Sequence, residues 1–177
     1  MTKPQLLARN ERYTRRVNDL LTSLESRSVE TLNRNPPGGG WSAIQTIYHL
    51  LLVEELSLAY IRKKMSFNAE AEPVNLLTRW RGFLLWASLS IPLKFKAPKN
   101  VSDEYLPDHA TLAEARMKWQ NARSAWTDFL TNMPDDLAAM ALYKHPRVGR
   151  LGWSQMLSFF ETHFSRHSKQ IERALKN

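Results

Sequence analysis

A chain of 177 residues with a formal net charge of +8, 43% hydrophobic and 24% charged residues has the makeup of one ordinary globular domain, expected to cover residues 1–177. It contains no cysteine, which excludes disulfides, thiolate metal ligands and a cysteine nucleophile, and leaves histidine and carboxylate as ligands. Met1 to Asn10 carries no secretory apolar run, and the most apolar stretch, Phe83 to Leu93, is too short for a bilayer and broken by Pro92; the expectation is a cytoplasmic protein without membrane contact.

The first predicted helix starts at Thr2, where Thr2 and Gln5 form a capping-box pattern, and runs to about Leu32. Leu6, Tyr13, Val17, Leu20, Leu21 and Leu24 give it one apolar face. Asn35-Pro36-Pro37-Gly38-Gly39-Gly40 must end it. A second helix restarts at Ser42, with Gln45 three residues on, and continues to about Lys64. A shorter apolar segment, Val74 to Leu89, holds Trp80, Phe83 and Trp86 and gives way to an irregular basic connection, Ile91 to Lys99. The third long helix opens with the capping box Thr111/Glu114 and ends near Met133-Pro134; the last runs from about Ser154 to Leu175.

No segment alternates convincingly enough for a strand. The expectation is therefore an all-α fold: a four-helix bundle with a long crossover, containing an extra short helix, between the second and third long helices. Gly40-Trp41-Ser42 and Gly152-Trp153-Ser154 repeat one pattern before the second and last long helices. Both tryptophans are expected to pin a helix start into the core.

His163 and His167 stand four residues apart in an unbroken helical stretch, so both imidazoles share one face and can chelate a single ion. His49, on the second long helix, is the natural third ligand. Three histidines leave a coordination position open, the arrangement of catalytic metals. Phe164, Ser165 and Arg166 stand between the pair, so the zinc-protease signature is absent. The positive residues are scattered, and no nucleic-acid-binding motif organises them. A basic surface and an anionic small molecule are the readings of this charge; specific nucleic-acid binding is not expected.

Three runs resemble the DinB-like (DinB/YfiT) superfamily of four-helix-bundle proteins. They are Trp41-Ser42 through His49-Leu50 with Glu54, the turn His145-Pro146-Arg147-Val148-Gly149-Arg150-Leu151, and His163, His167, Gln170 and Ile171 near the end. The resemblance implies that the second and fourth helices place His49, His163 and His167 around a divalent ion, nickel or zinc. Relatives include thiol-dependent transferases and isomerases.

Around this set, Gln45 and Gln170 share faces with the ligands and are candidate donors behind them or to substrate, although Gln45 also has a pure capping role open to it. Glu54 is a candidate to orient an imidazole on an adjacent helix, against the reading of a solvated carboxylate. His145 is expected to serve its turn beside Pro146, with a place over the pocket as the alternative; His109 is expected to be solvated, and Arg166 to stand at the rim of the site. Trp80, Phe83 and Trp86 read as core or subunit interface, and a homodimer is a candidate assembly. The leading functional reading is a divalent-metal-dependent enzyme acting on a small thiol or anion, a hydrolase or a low-molecular-weight-thiol S-transferase, because an open-sided ion acidifies a water or a thiol. The alternative is a non-catalytic, metal- or ligand-binding bundle that dimerises.

Overall fold

The computed structural model describes residues 1–67, 71–91 and 98–176. Most of the basic connection expected after Ile91 lies outside the described residues. The first helix, α1 (Lys3–Ser23), starts as its capping box predicts, with Gln5 Oε1 accepting from the Thr2 N–H at 2.9 Å. It does not reach Leu32. The chain turns through Leu24 to Arg27 and begins a separate short helix, α2 (Val29–Asn33), where Ser28 Oγ accepts from the Thr31 N–H at 3.2 Å. The run Glu25-Ser26-Arg27-Ser28 supplies no apolar face to hold a continuous helix down, and serine competes for backbone donors outside helices.

Gly38, Gly39 and Gly40 all adopt positive φ in the loop that follows. Ser42 and Gln45 then cap α3 (Ala43–Ser66) reciprocally. Asn75 caps α4 (Leu76–Ser90), with its Oδ1 accepting from the Thr78 N–H at 3.0 Å. Two 3-10 turns, Lys99–Val101 and Asp103–Tyr105, lead to α5 (Leu112–Asn132). The chain ends in α6 (Trp153–Ala174).

Among the described residues, four short strands interrupt the helical pattern. β1 (Glu72–Pro73) pairs antiparallel with β2 (Met140–Ala141), and β3 (Tyr143–His145) forms a hairpin with β4 (Gly149–Leu151). Each has two or three residues, too few for a period-two pattern to show in the sequence. The fold is otherwise helical, as expected.

α1 packs against α5 and α6, α3 packs against the same two helices, and α4 lies along α6. The core between them is aromatic-rich: Tyr13, Trp119, Trp126 and Phe160 are almost wholly buried, with Leu6, Leu21, Ile44, Ile47 and Leu130 around them. No helix among the described residues is long and apolar enough to cross a membrane. α6 carries two stripes. Met156, Phe160, Phe164 and Ile171 enter the core, while Phe159, His163 and His167, each four residues after the last, line a cavity beside α3.

Candidate metal centre

His49 stands two turns into α3, and the packing of α3 on α6 brings it to the histidine pair. His49 Nε2 lies 3.2 Å from His163 Nε2. The ring centroids are 5.1 Å apart for His49 and His163, 4.9 Å for His49 and His167, and 4.4 Å for His163 and His167. One ring nitrogen of each lies within 4.8 Å of the other two. The three side chains thus converge from two elements that only tertiary packing joins.

Two of the rings are fixed from behind. The Val101 carbonyl sits 3.0 Å from His49 Nδ1, and a carbonyl can only accept, so Nδ1 carries the proton and Nε2 the lone pair. Gln170 Oε1 lies 2.9 Å from His167 Nδ1 and does the same for that ring. Burial is the main electrostatic influence. It pushes His163 well below the usual histidine range, with the neighbouring imidazoles adding to the effect. His167 is brought down to about 3 by burial first and His49 second, and His49 is lowered by burial against the opposing Val101 bond. All three are neutral near pH 7, the state in which imidazole binds metal.

The donor set therefore fits a divalent ion. His49 Nε2 presents a lone pair 3.2 Å from another Nε2, an approach that needs either a proton or a cation between the two nitrogens. All three histidines line a cavity of about 1240 Å³.

Trp41 corrects an expectation. It does not enter the core but forms a half-buried wall, its ring 4.7 Å from that of His49 and 6.3 Å from that of His167, with its indole N–H donating to the Asp103 carboxylate. The core at this helix start is filled by Ala43 and Ile44 instead. Trp153 does enter the core, donating to the Leu137 carbonyl at 2.6 Å.

The residues 12–171, a span that contains all three histidines, match the DinB superfamily. The chain belongs to that superfamily. No curated protein and no solved structure matches it.

Within this DinB-superfamily site the expected neighbours divide. Gln170 contacts a histidine, as its spacing suggested. Gln45 does not: Oε1 accepts from the Ser42 N–H at 3.1 Å and from Asn35 at 3.2 Å, while Nε2 donates to the Pro107 carbonyl at 3.4 Å, so it caps α3 and ties down the preceding loop. Glu54 is neither solvated nor bonded to an imidazole. It is buried, paired with Arg123 at 2.6 Å, and it accepts from Tyr13 and Trp119. Its position on the α5 side of α3 turns it away from the site. Arg166 stands at the rim and donates to the carbonyls of Leu89 and Ile91, joining α6 to the end of α4. His109 is exposed.

The parts that sequence reasoning missed are the Val101 carbonyl, Trp41 and Phe159. Only Phe159 left a signal, since it continues the four-residue spacing of His163 and His167.

Proposed function

We propose that this protein is a divalent-metal-dependent enzyme, with His49, His163 and His167 holding nickel or zinc and a coordination position left open toward the cavity. When bound, such an ion supplies Lewis acidity, which serves hydrolysis or the transfer of a low-molecular-weight thiol. The residues do the rest: Val101 and Gln170 orient two ligands, and Trp41 and Phe159 shield the imidazoles from water. The observation that carries this reading is the convergence of three neutral imidazoles, one ring nitrogen of each within 4.8 Å of the others, in the lining of a cavity large enough for a small molecule. In this reading residues 1–177 form one domain, the four long helices make a four-helix bundle, and the stretch from α3 to α5 is its crossover. The protein works in the cytoplasm on a small thiol or anion, not on specific nucleic acid.

The test is metal content by mass spectrometry on untagged protein, beside His167→Ala. Near-stoichiometric divalent metal in the wild type, lost in the variant, supports the site. Protein that stays empty when divalent ions are supplied sinks it.

A second reading, a non-catalytic bundle that dimerises, draws on one observation. The outward face of α4 exposes Leu76, Leu77, Trp80, Phe83, Leu84 and Trp86, an apolar surface of the kind that marks interactions. A monomer at high concentration by ultracentrifugation dismisses it.

A further inference from the structure

The β3–β4 hairpin sets a fourth histidine against the same cavity, and its bonding restricts what that histidine can do. His145 ends β3 opposite Gly149, whose φ of +83° lets the chain turn back after three residues. Inside this turn the Arg147 backbone N–H donates to His145 Nδ1 at 3.2 Å. A backbone N–H cannot accept, so Nδ1 carries the lone pair, and the neutral ring must hold its proton on Nε2.

His145 is packed against Phe159, with ring centroids 4.7 Å apart, and it is not one of the three converging histidines. Phe159 also stacks on His163 at 5.2 Å, so one phenyl ring separates His145 from the proposed ligands. His145 is one of the cavity's lining residues; among the described residues its Nε2 has no hydrogen-bond partner, and it is not one of the unpartnered atoms sealed away from solvent. This differs from His49 and His167, whose partnered nitrogen is Nδ1–H and whose Nε2 is the acceptor. His145 has the opposite polarity: it offers a proton where they offer lone pairs.

The charge of the cavity wall says what such a donor would meet. Among the described residues, Lys144, Arg147, Arg166, Lys169 and Arg173 line it against a single acid, Asp103, which already accepts from Trp41. Five cations around one opening raise the local concentration of anions whatever each is bonded to. A neutral N–H donor inside a cationic wall suits an acceptor-only group, a carboxylate or phosphoryl oxygen.

We propose that the Nε2–H of His145 is the cavity's binding donor for a carboxylate or phosphoryl oxygen of an anionic substrate, held one phenyl ring away from the three-histidine centre. The placement of the reacting end rests on the metal-dependent reading above; the anion contact stands without it.

The test uses inorganic phosphate and the full-length, 15N-labelled protein. Long-range 1H–15N spectra should show His145 protonated at Nε2 and bare at Nδ1, with the Nε2 signals moving and saturating as phosphate is added. A proton on Nδ1, or signals that phosphate leaves in place, overturns the proposal. Two variants separate the binding role from the turn. His145→Gln carries an amide to the Nε2 position and should keep phosphate affinity, whereas His145→Asn retains only the contact toward Arg147 and should lose about tenfold. Any other order, the Asn variant rescuing better above all, overturns it. Metal content measured on the same samples keeps the two readings apart. Metal-free protein whose His145 still answers phosphate loses the metal centre and keeps the anion contact; metal-loaded protein whose His145 does not answer loses the anion contact alone.

Discussion

Arg123 Nη1 donates to Glu54 Oε2 at 2.6 Å with both side chains almost entirely out of water. Glu54 Oε1 accepts in addition from the Tyr13 hydroxyl at 2.7 Å and from Trp119 Nε1 at 3.1 Å, while Arg123 reaches Thr14 and Asn10 on α1 and lies over the Tyr13 ring at 4.8 Å. One carboxylate on α3 and one guanidinium on α5 thus fasten α1, α3 and α5 together. Burial, with the Glu54 charge behind it, drives the Tyr13 hydroxyl well above the ordinary tyrosine range, so it remains a donor at any working pH.

Removing one charge of that pair leaves the other buried and uncompensated. Glu54→Gln should cost about 3–5 kcal/mol in urea unfolding. Glu54→Leu combined with Arg123→Met should cost less than the single change, because no orphan charge remains. Metal content should be unaffected in both, and a parallel loss of metal would mean that the pair acts on the site.

Gln170 makes the contact most open to a local test. Gln170→Ala removes the acceptor that sets the His167 tautomer without touching any of the three histidines and, on the metal-dependent reading, should weaken divalent-ion affinity about 10- to 100-fold in a chelator-dye competition. Unchanged affinity would show that His167 orients itself.

Stability should fall with acid in chelator-treated protein. The histidines titrate near 6.5 when unfolded, but burial brings His145 down to about 4 and His167 to about 3 in the fold. Below pH 6.5 the unfolded chain takes up protons that the folded chain refuses. Each group therefore gives its full support above 6.5 and loses about 1.4 kcal/mol per pH unit down to its folded value. Urea midpoints at pH 7.5, 6 and 5 read this directly, and a flat series contradicts it.

α4 sits so close to α6 at Gly82 that an added Cβ would lie 2.3 Å from Gln155 Cγ and 2.8 Å from Gln155 Cβ. Gly82→Ala should lose about 1–3 kcal/mol by overpacking. Adding Gln155→Ala should recover part of that loss in the same melt, since it removes the nearer clashing atom, Cγ, and a buried Oε1 that has no partner among the described residues, while the Cβ contact at 2.8 Å stays. No recovery would place the strain in the backbone.

The caps were the most legible part of this chain. Thr2, Ser42 and Thr111 each announce a helix start that the structure keeps, because a cap is a local bond between residues three apart. The histidine pair on α6 was legible for the same reason. The break at Leu24 was not, since a polar stretch can continue a helix or leave it depending on what packs there. Glu54 was misread because its partner Arg123 is 69 residues away, and no spacing on α3 reports a guanidinium arriving from α5. Trp41 was misread because one Gly-Trp-Ser pattern serves a cavity wall in one place and a core in the other.

The Val101 carbonyl that braces His49 belongs to a 3-10 turn 52 positions downstream, in a connection between helices. Connections of this kind ordinarily tolerate insertion and drift. Here a connector residue is also a tuning peg for an imidazole. Lengthening or stiffening the chain around Val101 would retune the ring on α3 while all three histidines stay in place.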